Sequence, residues 1–223
     1  MPKNPDYFVV DLLHKTIIFD FDGTIADTQQ IMFDTANSLA AEFGFDPIRP
    51  EEMPQLKTMS ARELVVKRLR VPLWNIWKIY KLEKRGRELF AAHVDDVRVF
   101  PGMKEVIAQL RNVGCRVGIV TSNSADVVAK VLQTTTMPVD FVYAGSRIFG
   151  KAQALRSMLS EQNIDPTTTL YVGDEVRDVE ACKKVGIRML AVGWGYNDAK
   201  TLEKAGAEVV TKPGELVQKI VNT

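Results

Sequence analysis

The sequence predicts an α/β fold: a central parallel sheet covered by helices on both sides, with a small all-helical block inserted after the first strand. Three observations carry this. From about residue 97 onward, short apolar runs alternate with helical patterns, as in a parallel sheet with helical crossovers. Ile17, Ile18 and Phe19 are consecutive apolar residues, as a strand buried on both faces requires. Residues 28–96 show helical periodicity and no convincing strand, so they interrupt the alternation.

Taken in order, residues 1–6 are polar with two prolines and read as a lead-in, and 7–13 as a short ordered piece. The first strand is 16–20. Ile31, Phe33, Leu39 and Phe43 fit one helix face, and Gly44 suits its end. Pro47, Pro50 and Pro54 break the chain. Ser60 precedes Glu63 by three, the capping-box spacing, and Leu64, Val65 and Leu69 continue that helix up to Pro72. A further helix is expected over 73–93. Trp74, Trp77 and Tyr80 recur every three residues along it and are expected to pack in a core. After 99–102 come a helix at 103–112, a strand at 116–120, a helix at 125–132 and a strand at 139–143. A helix at 151–161, a strand at 168–172, a helix at 176–185 and a strand at 187–192 follow. Helix 199–205, strand 208–210 and helix 213–221 finish the chain. Right-handed crossovers place the carboxyl ends of these strands on one edge, where open α/β sheets hold their ligands.

The 46% apolar content supplies a sizeable core, and a net charge of +1 gives no global pull towards nucleic acid or membrane. Cys115 and Cys182 form no disulfide framework and read as small buried residues. The first residues contain acids and no long apolar run, so neither a signal peptide nor a membrane span is expected, and the protein reads as cytoplasmic. Residues 56–87 hold ten Lys and Arg against Glu63 and Glu83, a solvated basic face or a field for an anionic substrate.

Asp20 and Asp22 end the first strand, with Gly23 and Thr24 next. Thr121, Ser122 and Asn123 end the second. Lys151 opens a helix after the third, and Asp174 and Glu175 end the fourth, with Asp178 one turn on. No Ser–His or Cys–His pair joins them. His14 and His93 lie elsewhere and read as structural. Clustered carboxylates suit a hard divalent cation such as Mg²⁺. A lysine, hydroxyls and backbone N–H groups suit a phosphoryl group in transfer. A carboxylate can attack phosphorus, and a second one two residues away can move the leaving-group proton.

These residues carry a resemblance. DFDGTIADT, residues 20–28, looks like the first motif of the haloacid dehalogenase superfamily in its phosphatase form. Thr121–Asn123, Lys151 and Gly173-Asp174-x-x-x-Asp178 are similar to the second, third and fourth, in the expected order, and 100–123 also looks typical. The inserted helices resemble the cap of the phosphoglycolate phosphatase-like subgroup. The resemblance implies a Rossmann-like three-layer core, 1–27 and 97–223, with a helical cap at 28–96. It implies Asp20 as nucleophile and Mg²⁺ ligand. Asp22 would be acid/base with its carbonyl on the metal, and Asp174 a metal ligand. Asp178, with Glu175 as its substitute or helper, would hold metal waters or Lys151. Gly23, Thr24, Thr121, Ser122, Asn123 and Lys151 would bind phosphate.

One departure is Ala152, where the subgroup often has proline; residues 145–150 are also not the commonest form. A dehalogenase or phosphonatase would lack the acid at Asp22. A phosphomutase would keep all four motifs, and a silent phosphate-binding descendant would have lost some of them. The expected activity is a Mg²⁺-dependent phosphatase of a small, soluble phosphomonoester, phosphoglycolate-like in one reading. Arg62 is the candidate for a second anionic group. The expected partner is that ester alone, with no nucleic acid or membrane, and the chain acting as a monomer or homodimer.

Overall fold

The computed structural model describes residues 16–145 and 150–222; the ordered piece expected at 7–13 and His14 lie outside them. The chain runs β1 (Thr16–Phe19), β2 (Ala26–Asp27), α1 (Gln29–Phe43), α2 (Met53–Leu56), α3 (Ala61–Glu63), α4 (Ile76–Ala91), β3 (Arg98–Val99) and α5 (Met103–Asn112). It continues with β4 (Arg116–Val120), α6 (Ala125–Thr135), β5 (Phe141–Tyr143), α7 (Lys151–Glu161), β6 (Thr169–Gly173) and α8 (Val176–Val185). Then come β7 (Arg188–Val192), α9 (Ala199–Lys204), β8 (Glu208–Val210) and α10 (Leu216–Val221).

Among the described residues six strands pair in parallel in the order β5-β4-β1-β6-β7-β8. β1 is central, with Ile18 opposite Gly118 on one side and Tyr171 on the other. Its side chains alternate between two apolar layers. Ile17 and Phe19 join Met103, Ile107 and Leu110 of α5, Val128 of α6 and Ile220 of α10. Ile18 joins Leu155 and Met158 of α7 and Cys182 of α8. Both layers are fully buried around β1, each such side chain contributing about 1.5–3 kcal/mol. Helices on both faces make the three-layer α/β core that the alternation predicts. Cys115 and Cys182 are both buried, as small apolar residues would be. Among the described residues no helix is long and apolar enough to cross a membrane.

The strand predicted to end at Asp20 ends at Phe19, although the Asp20 amide still donates to Val172 O at 2.8 Å. The sequence reading missed β2 and β3, which pair antiparallel, Ala26 with Val99 and Asp27 with Arg98. Two residues are too few to show a period. This pair joins the two connections between the sheet and the inserted helices.

Those helices have a separate apolar cluster. Val65, Val71 and Leu82 are buried there with Leu39, Phe43, Leu73 and Ile79 against them. The Ser60–Glu63 box forms in both directions: the Glu63 amide donates to Ser60 Oγ at 3.3 Å and the Ser60 amide to Glu63 Oε2 at 3.1 Å. The helix predicted over 73–93 is shorter, because Asn75 caps it by accepting the Lys78 amide. Trp74, Trp77 and Tyr80, expected in a core, are instead 81%, 72% and 49% exposed. Leu82 and Phe90 supply the buried side of α4, which turns Trp77 and Tyr80 outward, and Trp74 precedes the helix.

Candidate active site

Three strand ends and the opening of α7 meet at one edge of the sheet. Asp20 follows β1, Thr121 follows β4, Asp174 follows β6, and Lys151 begins α7 after β5. All four side chains are buried. A charge at such depth needs a partner. Lys151 Nζ lies 2.5 Å from Asp20 Oδ2 and 2.5 Å from Asp178 Oδ1. Asp20 Oδ1 accepts the Phe21 amide at 2.8 Å, so the carboxylate is held at both oxygens.

Asp174 is fixed equally firmly. Its Oδ1 accepts Thr24 Oγ1 at 2.8 Å and its Oδ2 accepts the Tyr196 amide at 2.7 Å. Gly23 makes this fit possible: its φ of +76° favours glycine, and a Cβ there would run into Asp174. Asp178 sits one turn into α8 and accepts the Glu175 amide at 3.2 Å, so it caps the helix and holds Lys151. Glu175 itself pairs with Arg177 at 2.5 Å rather than with Lys151.

Asp22 is turned towards a different neighbour. Asn123 Nδ2 donates to its two oxygens at 3.1 and 3.2 Å. The Asn123 amide donates to Thr121 Oγ1 at 2.9 Å, and its Oδ1 accepts the Ser124 amide at 2.8 Å. The 121–124 turn thus links the hydroxyl after β4 to the second acid after β1, with Ser122 between them.

Electrostatics separate the groups further. Burial pushes Asp20 up to about 7 against the opposing pull of Lys151. Burial likewise raises Asp22 to about 6, offset in part by hydrogen bonds from Asn123 and Thr28. Asp174 is raised well above the carboxylate range by burial, then by Glu175, Asp20 and Asp178. Burial works against the Lys151 cation, but Asp178 and Asp20 outweigh it, and its pKa rises.

Oxygen atoms of Asp20, Asp174 and Asp178 come within 4.8 Å of one another, all three residues being buried. Three carboxylates face one lysine there, leaving two negative charges to be balanced when all are ionised. An all-oxygen, doubly negative set fits a hard divalent cation.

Of the predicted residues, the structure brings Asp20, Thr24, Lys151, Asp174 and Asp178 into one contact network with Gly23, and Asp22, Thr121 and Asn123 into an adjoining one. Arg62 stands apart. It lines, with Ser60, Leu73 and Tyr80, a cleft of about 730 Å³ between the inserted helices and α7–α8. Lys151 and Arg177 also line it. Sequence reasoning missed Tyr196, Asn197 and Arg177. The turn after β7, Gly-Trp-Gly-Tyr-Asn-Asp, lies at the same sheet edge as the others, and reading the fifth strand end would have found the first two.

Comparison with known proteins identifies the family. Residues 17–192 match the family model described as haloacid dehalogenase-like hydrolase. A phosphoglycolate phosphatase of Synechococcus elongatus is 34% identical over 209 residues, covering 92% of this chain and 97% of that protein. An N-acetylmuramic acid 6-phosphate phosphatase of Pseudomonas aeruginosa is 24% identical, covering 91% and 93%. Among solved structures, CbbY of Rhodobacter sphaeroides in complex with phosphate superposes with a TM-score of 0.69 at 22% identity, covering 94% and 100%. A predicted phosphatase of Clostridium acetobutylicum gives 0.78 at 19%, covering 95% and 100%. At these identities the two structures speak for the fold alone.

Proposed function

Because the chain belongs to the haloacid dehalogenase-like hydrolase family and is a phosphoric monoester hydrolase, we propose that it is a Mg²⁺-dependent phosphatase acting through a phosphorylated Asp20. The observation that carries the reading is the buried group of Asp20, Asp174 and Asp178 around Lys151. Asp20, Asp174 and the Asp22 carbonyl would hold Mg²⁺, with Asp178 supporting Lys151. When bound, Mg²⁺ supplies the positive charge that lets a phosphate dianion approach these carboxylates.

An Asp20 oxygen forms a bond to phosphorus as the bond from phosphorus to the leaving alcohol oxygen breaks. Asp22, protonated in part near neutrality because its pKa is about 6, gives that oxygen its proton. In the second half Asp22 takes a proton from water, whose oxygen bonds to phosphorus and releases the Asp20 carboxylate. Lys151 offsets the repulsion between Asp20 and the phosphoryl oxygens. Thr121, Ser122 and the Gly23–Thr24 turn hold the phosphoryl group, and Asn123 holds Asp22.

Residues 28–96 act as a cap in this reading, and their separate apolar cluster supports that role. The substrate is a small ester with a second anionic group for Arg62, phosphoglycolate being the leading candidate. The Synechococcus relative and the position of Arg62 on the cleft that reaches Lys151 support this choice. The test is phosphate release from a panel of phosphomonoesters, with and without Mg²⁺. Mg²⁺-dependent release, fastest for small anionic esters, is expected. An isomerised ester without free phosphate would turn the reading towards a mutase.

A further inference from the structure

The buried amide of Asn197 joins two parts of the molecule. Its Nδ2 donates to Lys57 O at 2.8 Å and to Met59 O at 3.0 Å, both in the inserted helical block. Its Oδ1 accepts the Val176 amide at 2.9 Å, where α8 begins. Its own amide donates to Asp174 O at 3.2 Å. The side chain is 3% exposed, and the three bonds use both of its amide hydrogens and its oxygen. On either side of it, the Tyr196 amide holds Asp174 Oδ2, and the Asp198 amide donates to Lys57 O at 3.2 Å. Gly195 has no room for a side chain, because a Cβ would meet the Asp174 carboxylate.

The loop at 193–198 therefore touches the 57–59 turn with one side and Asp174 with the other. Buried amides of this kind are costly to leave unpaired, so undocking the 57–59 turn exposes two carbonyls and one donor pair at once. That cost resists separation of the two surfaces. It also ties the position of 57–59 to the backbone that orients Asp174.

We propose that Asn197 is a positioning residue that couples docking of the 57–59 turn to the orientation of Asp174. This rests on the reading of Asp174 as a metal ligand. Because the coupling is a property of equilibrium states, it is reciprocal: whatever orders Asp174 also favours the docked turn.

The experiment is amide hydrogen exchange at residues 57–59, read first on the metal-free protein, where no catalysis is involved. Asn197→Asp keeps the acceptor for Val176 and removes the donor to Lys57 and Met59. Exchange at 57–59 is expected to quicken on the order of tenfold or more, with exchange in the β1 and β4 core unchanged. The Mg²⁺ concentration giving half-maximal activity is expected to rise by a similar factor. Asn197→Ala should do the same. Without any substitution, Mg²⁺ alone should slow exchange at 57–59 in the parent protein. Unchanged exchange in the folded variants would overturn the docking role. Faster exchange with an unmoved Mg²⁺ requirement would overturn the coupling, as would exchange in the parent that ignores Mg²⁺. A parent that releases no phosphate from any ester but shows the metal-dependent exchange would instead count against the phosphatase reading alone.

Discussion

Lys151 Nζ and Asp20 Oδ2 are 2.5 Å apart in a pocket that buries both side chains, and Asp178 approaches the same ammonium at 2.5 Å. The lysine answers two acids at once. Substituting Lys151 by Met removes the cation and leaves buried carboxylates unpaired. A loss of about 3–5 kcal/mol in unfolding free energy is expected in the absence of metal. Phosphatase activity should fall by about 10²-fold or more. Denaturant unfolding and steady-state kinetics on the same preparation check both.

The pH dependence of the metal-free protein follows from the acids. Asp20 and Asp22 sit at about 7 and about 6 in the fold, above the ordinary 3.8. The folded state therefore binds protons that the unfolded state releases between those limits. Stability from these groups falls as pH rises from about 4 to about 7, and stays low above that. Lys151 is raised, so its contribution is complete throughout this window. Mg²⁺ needs the ionised acids and competes with their protons. The rise in melting temperature on adding Mg²⁺ should thus be larger at about pH 8 than at about pH 5.5. Equal shifts would contradict a metal site made of these carboxylates.

Asp22 is held by Asn123 away from the Lys151 group, which separates its role from that of Asp20. Asp22→Asn should lower kcat by about 10²–10⁴ for alkyl phosphates, whose leaving oxygen needs a proton. For an aryl phosphate with an acidic leaving group the loss in the first, phosphorylating step should be much smaller. Burst kinetics with both ester types would show the difference. The same loss in that step for both would remove Asp22 from leaving-group protonation.

Arg62 and Lys151 line the same cleft. Arg62→Glu should raise KM for phosphoglycolate by about tenfold or more while changing it little for the phosphate ester of an uncharged alcohol. Steady-state measurement on the pair is sufficient. A KM that moves equally for both esters would exclude recognition of a second charge.

Much of this site was legible because the chemistry follows the strand ends. Ile17-Ile18-Phe19 suggested a doubly buried strand, which placed Asp20 and Asp22 at its mouth. The same logic found Thr121, Asp174 and Lys151. It did not find Asn197, because the one acid in the turn after β7, Asp198, caps α9, and the role of Asn197 depends on Lys57 and Met59, some 140 residues away. Exposure of Trp74 and Trp77 was missed for a related reason. Aromatic spacing marks a face, but which face is covered depends on Leu82 and Phe90 and on where Asn75 starts the helix. The β2–β3 pair was too short to show a period.

Phosphorylation of Asp20 is the central claim, and trapping it is the most direct test. The enzyme, turning over with Mg²⁺ and a good substrate, is quenched in acid, reduced with borohydride and mapped by mass spectrometry. Borohydride converts a phosphorylated aspartate to homoserine. The expected result is homoserine at position 20, only when both substrate and Mg²⁺ are present and never in Asp20→Asn. Homoserine at another aspartate, or full phosphatase activity in Asp20→Asn, would contradict it.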